Sequence, residues 1–224
     1  LMIMATAIAV EPLPLVLRTP FTLSYGTSTV RENLLVRLRT DDLVAFGEAA
    51  IVPYYGGPVE RVTAYLSDPR VCEAVHRDPA QLDEALDALP PAPSSFARAA
   101  LDIALHDRWS AHLGQPLYRL WKLDPHRTPA TSFTIAMDDD EAAYRERVRA
   151  AGERFRLLKL KLGSPAGWES DWQRVQIARA ATDSARGGEA NAGWDRAAAQ
   201  AIIPRLGELG VVFVEQPLPR DDLE

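Results

Sequence analysis

The chain has 224 residues, of which 47% are hydrophobic and 25% are charged, and these proportions indicate a globular protein rather than a disordered or fibrous one. The formal net charge of −6 offers no basic surface for nucleic acid, so we expect no nucleic-acid partner. The single cysteine, Cys72, excludes an internal disulfide and a thiolate zinc cluster.

The first 50 residues predict a β-meander. Residues 1–10 are apolar but lack the basic segment of a signal peptide, so we interpret them as a first strand. Residues 33–40 alternate in polarity, with Leu34, Val36 and Leu38 on one face. No stretch reaches the roughly 18 apolar residues that a membrane span needs. We therefore expect a cytoplasmic protein without a membrane partner.

A loop at residues 52–57, rich in proline and glycine, separates the meander from a helical segment. Apolar residues then recur at helical spacing. The first predicted helix begins at Pro58, the second carries Leu82, Leu86 and Leu89, and the third runs from a cap at Ser94 or Ser95 to about Gly114. Strands followed by helices predict an α+β domain.

From about Thr131 onward strands and helices alternate, which predicts a parallel sheet covered by helices on both faces. The predicted strands cover residues 131–136, 155–162, a weak segment up to 191, and 211–215. The predicted helices cover residues 141–151, 168–182 and a segment from Asp195, and the acidic triplet at 138–140 is interpreted as an N-cap.

Two lysines lie in the second of these strands. Lys159 and Lys161 are two residues apart, so they share one face of the strand while leucines occupy the other. In a solvated antiparallel strand this pattern would mean little, but in a strand flanked by helices the lysines must point into the interior or the mouth of a barrel. Packing two ammonium groups together is expected to depress the pKa of each, which is how a lysine becomes a general base near neutral pH.

Carboxylates end the next two predicted strands. Glu189 precedes Ala-Asn-Ala-Gly-Trp, and Glu215 precedes Gln-Pro. Each carboxylate taken singly fits a solvated loop position. Together with the lysine pair, however, they would converge at the carboxyl ends of consecutive parallel strands. Two oxygen ligands without a neighbouring cysteine or histidine suit Mg²⁺.

The combined motifs resemble those of the enolase superfamily, in its muconate-lactonizing branch. The resemblance rests on Lys-x-Lys at 159–161, on Asn-x-Gly-Trp at 191–194 after an acid, and on Glu-Gln-Pro at 215–217. The segments that resemble the dipeptide epimerases in particular are residues 26–29, 31–33, 47–49, 53–56, 99–107 and 131–135.

The resemblance implies a fold of two parts. An α+β N-terminal capping domain would occupy residues 1–125, and the first half of a TIM-type (β/α) barrel, about four βα units, would occupy residues 126–224. Loops at residues 21–27 and 52–57 would close over the substrate and select it.

The resemblance also implies a role for each site residue. Lys161 would remove the proton α to a carboxylate or carboxamide, and Lys159 would lower the pKa of Lys161. Glu189 and Glu215 would hold Mg²⁺, which stabilises the enediolate intermediate. The residues implied to contact the substrate, a small dipeptide or carboxylate, are Phe21, Tyr25, Thr134, Lys159 and Asn191.

Three departures from the family pattern fall within one βα unit. The family has Asp where Glu189 stands, and the longer side chain shifts the carboxylate at a site where Mg²⁺ demands near-ideal geometry. Residues 185–188, Ala-Arg-Gly-Gly, are poor material for a buried strand. Pro204 is expected inside the following helix, at a cost of roughly 3 kcal/mol.

The third metal-binding carboxylate and the opposing lysine of the family lie on later barrel strands. A complete (β/α)₈ barrel takes about 250 residues, whereas residues 131–224 leave room for four strands. We therefore expect a C-terminally truncated chain that cannot epimerise a substrate alone. Its open sheet edges would favour association, including a homo-oligomer.

Three functions stay open at this point. The first is a Mg²⁺-dependent epimerase that acts on an L-Ala-D/L-Glu-like dipeptide. The second is an o-succinylbenzoate synthase or a muconate cycloisomerase, which shares the scaffold and the lysine pair. The third is a degenerate, non-catalytic relative, which Glu189 and the glycine-rich strand suggest.

Overall fold

The computed structural model describes residues 7–40, 42–52, 55–56 and 58–222. These residues form two compact units, one with residues 7–16 and 30–128 and the other with residues 17–29 and 129–222. The predicted strand residues 1–6, and Pro53, Tyr54 and Gly57 of the predicted 52–57 loop, lie outside the described residues. The boundary predicted at residue 125 stays a prediction.

A three-stranded sheet in the order β1-β2-β3 contains residues of the first unit, and the adjoining ends of β1 and β2 belong to the second unit. The strands of this sheet are β1 (Ala7–Leu23), β2 (Gly26–Arg39) and β3 (Val44–Ala49). β2 and β3 pair antiparallel, with Leu34 opposite Ala49 and Leu38 opposite Ala45. Leu34, Val36 and Leu38 are all buried, as their alternation along the chain predicts.

Helices pack the rest of the first unit. Its described helices are α1 (Val59–Leu66), α2 (Pro69–Val75), α3 (Leu82–Asp87), α4 (Ser95–Leu113) and α5 (Leu117–Leu120), and a 3₁₀ turn follows at Pro125–Arg127. Ser94 caps α4, and Gly114 ends it in the left-handed region at φ 61°, as predicted. The helices predicted from the sequence do not include α2 and α5, of seven and four residues.

The second unit alternates strands and helices. The strands are β4 (Ser132–Ile135), β5 (Leu157–Lys161), β6 (Ala185–Glu189) and β7 (Val211–Glu215), and the helices are α6 (Glu141–Gly152), α7 (Trp168–Ala181) and α8 (Arg196–Glu208). The strands are parallel and neighbour one another in chain order, so the predicted parallel sheet is confirmed. Among the described residues, no helix combines the length and apolar character needed to cross a membrane.

The strand β6 departs most from what its own sequence indicates. It is buried from its second residue onward, although two of its five residues are glycine. A Cβ atom at Gly187 would lie 2.1 Å from the ring of Phe213, and one at Gly188 would lie 2.8 Å from Cδ1 of Leu162. The glycines therefore leave space that neighbouring side chains fill, and the expectation of poor material for a buried strand is wrong.

Candidate active site

The predicted lysines and carboxylates meet at one edge of the parallel sheet. Lys161 ends β5 and lies in register with Glu189, which ends β6. Glu189 lies in register with Glu215, which ends β7. Because the carboxyl ends of parallel strands share one edge of the sheet, three consecutive strands present a charged side chain at the same level.

Lys161 occupies the most buried position of this group. Its Nζ donates to Oε2 of Glu189 at 2.5 Å and to Oδ1 of Asn191 at 3.0 Å. The side-chain amide of Asn191 donates in turn to Oε1 of Glu189 at 2.7 Å. Lys161 and Glu189 are 7% and 6% exposed, and charged groups buried to this extent require such partners. The three side chains thus form a closed hydrogen-bonded triangle.

Lys159 bridges the two carboxylates. Its Nζ lies 2.6 Å from Oε2 of Glu189 and 2.7 Å from Oε2 of Glu215. Glu215 is the more exposed of the two acids, with 51% of its side chain accessible. The cluster therefore balances two ammonium groups against two carboxylates, and one side of it faces solvent through Glu215.

The pKa values of the two lysines are shifted in opposite directions. Burial lowers the pKa of Lys161, and the charge of Lys159 lowers it further, although Glu189 opposes both effects. Burial also opposes the charged form of Lys159, but its hydrogen bonds to Glu189 and Glu215 outweigh burial and raise the pKa of Lys159. The prediction that packing depresses both values is therefore wrong for Lys159, because two carboxylates neutralise the repulsion.

Glu189 is held in its charged form. Burial alone would raise the pKa of the Glu189 carboxyl, but hydrogen bonds from Lys159, Lys161 and Asn191 together hold that pKa below its ordinary value. The ionised form of the Glu189 carboxyl is thus favoured, and both of its oxygens accept hydrogen bonds from these three side chains.

The backbone after β6 and β7 turns through an unfavourable conformation. Asn191, Ala192 and Gln216 have φ angles of 48°, 60° and 47°, in the left-handed region that costs a non-glycine residue of the order of 1–3 kcal/mol. The Ala192 amide donates to the carbonyl of Gln216 at 2.8 Å, so the two turns hold each other. Such strain is concentrated at functional sites in proteins.

Three of the residues predicted to contact the substrate lie in two parts of the second unit. Thr134 lies on β4 in register with Lys159 and is half-buried. Phe21 and Tyr25 lie near the turn that joins β1 to β2, within the second compact unit. Between them, the Ser24 hydroxyl donates to the carbonyl of Asn191 at 2.9 Å.

Two residues that the sequence reasoning missed belong to the surroundings of the cluster. One is Ser24, which bonds the segment that carries Asn191. The other is Asp171 on α7, a fully buried carboxylate. No local signal distinguishes either residue, since a serine in a turn and an acid in the first turn of a helix are common at solvated positions.

The donor set at the sheet edge fits Mg²⁺ in chemistry. Within the described part of the chain, no group of three or more His, Cys, Asp and Glu residues could hold a metal ion. Mg²⁺, however, keeps several water ligands and is commonly bound through one or two carboxylates. Glu189 and Glu215, adjacent in register, are two carboxylates of the kind that such a site would use.

Family models match both parts of the sequence. The model of the mandelate racemase / muconate lactonizing enzyme N-terminal domain matches residues 4–121, and the model of enolase C-terminal domain-like proteins matches residues 140–224. The N-terminal match alone covers more than half of the chain.

Curated relatives agree with these models. The L-Ala-D/L-Glu epimerase of Bacteroides thetaiotaomicron is 36% identical over 217 residues, which cover 95% of this chain and 55% of the relative. Muconate cycloisomerase 1 of Rhodococcus opacus is 30% identical over 216 residues, covering 92% of this chain and 57% of the relative. The chain thus spans 55–57% of the length of these two relatives.

Solved structures carry the same fold. The dipeptide epimerase from Methylococcus capsulatus, complexed with Mg and the dipeptide L-Arg-D-Lys, is 30% identical with a TM-score of 0.80, over 95% of this chain and 61% of that chain. The muconate lactonizing enzyme from Pseudomonas fluorescens, complexed with muconolactone, has a TM-score of 0.87 at 24% identity, over 98% and 62%, and this likeness shows the fold alone.

The predicted fold, an α+β N-terminal domain followed by about four βα units of a TIM-type barrel, is thereby confirmed. The relatives are isomerases, namely epimerases, racemases and cycloisomerases. The chain belongs to the mandelate racemase / muconate lactonizing enzyme family of the enolase superfamily.

Proposed function

We propose that the protein to which this chain belongs is a Mg²⁺-dependent epimerase, which removes the α-proton of a dipeptide resembling L-Ala-D/L-Glu. The observation that carries this proposal is the triangle of Lys161, Glu189 and Asn191 at the carboxyl ends of adjacent parallel strands. A 36% identical relative is an L-Ala-D/L-Glu epimerase, which supports the choice of substrate class.

Lys161 is the proposed base. Its side chain is buried, so its ammonium form is disfavoured relative to a solvated lysine. A lowered pKa increases the share of neutral amine that can accept a proton from carbon. Asn191 and Glu189 fix the position of Nζ through hydrogen bonds, and a base held in place needs no search for the productive geometry.

Glu189 and Glu215 are the proposed Mg²⁺ ligands. Both carboxylates contact Lys159, which holds them side by side. Mg²⁺ bound to them would offset the negative charge that develops on the substrate carboxylate as its α-proton leaves. A solved relative complexed with Mg and a dipeptide, L-Arg-D-Lys, supports this assignment.

Phe21, Tyr25 and Thr134, together with Lys159 and Asn191, are proposed to contact the substrate. The bond from Ser24 to Asn191 ties the segment between Phe21 and Tyr25 to the backbone beside the lysine cluster. The segment is therefore in reach of a molecule bound at Lys161, and its aromatic side chains would meet the apolar part of a dipeptide.

The test follows the α-proton directly. The full-length protein is incubated with MgCl₂ and L-Ala-L-Glu in deuterated water, and ¹H NMR measures loss of the α-proton signal and appearance of the second epimer. We expect both to occur, and Lys161→Met to lower the rate at which the second epimer appears by about 10²–10⁴-fold, the usual contribution of a general base. Lys122→Met, a change on the first unit, serves as the control and should leave the rate unchanged.

Two results would overturn the proposal. One is formation of the second epimer at the wild-type rate in the Lys161→Met variant, because inversion would then not need Lys161 as one of its two bases. The other is a lack of exchange with every member of a dipeptide panel. Conversion of cis,cis-muconate without exchange of any dipeptide would favour the cycloisomerase reaction, to which the 30% identical relative points.

The 224-residue chain is assayed beside the full-length protein. Epimerisation needs a base on each face of the planar intermediate, and Lys161 serves one face. The chain alone is therefore predicted to be inactive. Racemisation of L-Ala-L-Glu by the purified 224-residue chain, dependent on added Mg²⁺, would contradict this prediction.

A further inference from the structure

Asp171 is a charged residue for which the proposed reaction has no use. It lies in the first turn of α7 and is 0% exposed. A carboxylate removed from water is strongly destabilised unless hydrogen bonds replace its lost solvation. The arrangement of those bonds therefore shows what the side chain holds.

Four groups donate to this one carboxylate. The backbone amides of Gly163 and Ser164 lie 2.8 Å and 3.2 Å from Oδ2, and the indole Nε1 of Trp194 lies 2.7 Å from the same oxygen. The guanidinium of Arg174 lies 3.3 Å from Oδ1. Oδ1 also lies 3.2 Å from the Ser164 amide. The carboxylate is thus fully satisfied by three separate parts of the chain.

The donors come from the two segments that carry the candidate base and its partner. Gly163 and Ser164 follow Lys161 by two and three residues, and Trp194 follows Asn191 by three. A single carboxylate on α7 therefore bonds both the segment after β5 and the segment after β6.

The two segments also touch each other through their backbones. A Cβ atom at Gly163, where φ is 81°, would lie 2.1 Å from the carbonyl oxygen of Ala190. A Cβ atom at Gly193 would lie 2.6 Å from Cα of Gly163. Both positions admit only glycine at this separation, so the spacing of the segments leaves no slack that a side chain could absorb.

We propose that Asp171 is a positioning residue for Lys161: it clamps the segment after β5 against the segment after β6 and so keeps Lys161 and Asn191 within hydrogen-bonding distance. The inference rests on the proposed function of Lys161 as the base. The clamp acts through backbone position, since Asp171 bonds neither Lys161 nor Asn191 among the contacts of the described residues. A displacement of about 1 Å at a reacting group can cost about 10²-fold in rate.

Two variants weaken the clamp by different amounts. Asp171→Asn replaces one of the two acceptor oxygens with an NH₂ group, which cannot accept a hydrogen bond, so at least one donor loses its partner. Trp194→Phe keeps an aromatic ring of similar position and removes only the Nε1 donor. The control is Asp140→Ala, which removes the N-cap of α6 without touching either segment.

The kinetic experiment measures kcat and KM for L-Ala-L-Glu in the full-length protein, with each rate divided by the folded fraction from circular dichroism. We expect kcat to fall about 10–100-fold in Asp171→Asn and less in Trp194→Phe, with KM changed less than about twofold. In Asp140→Ala, kcat per folded molecule should stay at the wild-type value. If all three variants keep wild-type kcat per folded molecule, the clamp is structural only and the proposal is wrong.

A second measurement keeps the inference separate from the proposed function. In protein labelled with ¹⁵N-asparagine, the side-chain amide signal of Asn191 reports its bond to Glu189, and Asn191→Ala identifies that signal. We expect the signal to shift in Asp171→Asn and in Trp194→Phe but not in Asp140→Ala. An unshifted signal overturns the positioning role. A shifted signal in a protein that exchanges no dipeptide α-proton would support the clamp and reject the proposed function.

Discussion

The neighbouring strands β5 and β6 reach the same result by different routes. In β5, Leu158 and Leu160 are both fully buried, so the strand supplies its own part of the core. In β6, two glycines leave space that Phe213 and Leu162 fill from outside the strand. The first strand is thus stabilised by its own side chains, and the second by those of its neighbours.

The comparison matters because both strands end in the candidate site. Lys161 and Glu189 lie in register, and any slip of one strand against the other would separate them. Substitutions within the two strands therefore test whether the source of stability differs as the contacts indicate. Their effects are compared as free energies of unfolding from urea denaturation, in order of expected size.

The largest effect is expected in β5. Leu160→Ala removes a fully buried side chain and leaves a cavity, which costs about 2–5 kcal/mol. Leu157→Ala is the matched control, because Leu157 lies in the same strand but is only half-buried, and it should cost clearly less. Equal losses from the two substitutions would show that β5 is not held by its own buried leucines.

In β6 the opposite change is expected to be harmful, since adding atoms should destabilise the strand. Gly187→Ala places a Cβ atom 2.1 Å from the ring of Phe213, and such overpacking costs about 1–3 kcal/mol. Gly207→Ala is the control, because a Cβ atom there meets no other atom within 4 Å. It should be neutral or raise stability by up to about 1 kcal/mol.

The cause is identified by a double substitution. If Phe213 fills the space of the missing side chain, Gly187→Ala combined with Phe213→Ala should cost less than the sum of the two single changes. Additive losses would mean that the ring of Phe213 does not oppose the new Cβ atom.

The same contrast explains how much of the molecule its sequence predicts. The alternation of Leu34, Val36 and Leu38, and the capping signals at Ser94 and Gly114, act within a few residues, and the structure places all of them as predicted. The parallel sheet follows equally well, because its strands alternate with helices at regular intervals. Local patterns therefore carry most of the fold.

Local sequence patterns do not predict features that depend on residues far apart in the chain. The burial of Gly187 depends on Phe213, and the raised pKa of Lys159 depends on two carboxylates from other strands. The sequence around Asp171 indicates only a solvated residue in a helix. The tertiary fold brings Gly163 and Trp194 to its carboxylate. The sequence predicts the members of the candidate site, whereas their hydrogen-bond partners depend on contacts between residues far apart in the chain.

Pro204 departs from the family pattern in the same βα unit as Gly187, but we expect that the structure only tolerates this proline and does not require it. It lies inside α8 at an exposed position, and proline there lacks the amide that would donate to the preceding turn. Pro204→Ala should therefore raise the free energy of unfolding, by less than the roughly 3 kcal/mol of helix preference because alanine also gives the unfolded chain more conformational freedom. Pro69→Ala, at the first position of α2, is the control and should not stabilise, since proline suits that position. A loss of stability in Pro204→Ala would show that the proline, like Gly187, is required by its surroundings.

Gly188→Ala should have the smallest effect, although it is adjacent to Gly187. The new Cβ atom would lie 2.8 Å from Cδ1 of Leu162, and the next atom, Cγ of the same residue, would be 3.9 Å away. Only the end of one flexible side chain must move, whereas at Gly187 three atoms of a rigid ring lie within 2.5 Å. We expect a loss below about 1 kcal/mol.

The stability lost in Gly187→Ala, compared with that lost in Gly188→Ala, thus tests most directly whether neighbouring side chains decide which residues β6 accepts. Neither Gly187 nor Gly188 has a positive φ, so the two positions do not differ in this respect. If backbone conformation alone excluded side chains from β6, alanine should therefore cost a similar amount of stability at both positions. A strand shaped by its neighbours should lose more at Gly187, where three ring atoms of Phe213 lie within 2.5 Å, than at Gly188, where one atom of Leu162 lies at 2.8 Å. Leu162→Ala removes the Cδ1 atom that lies near the new Cβ atom. In a protein that already carries Leu162→Ala, the further change Gly188→Ala should therefore be nearly neutral. If instead Gly188→Ala costs as much as Gly187→Ala in the presence of Leu162, the side chains of the adjacent strands do not decide which residues β6 accepts.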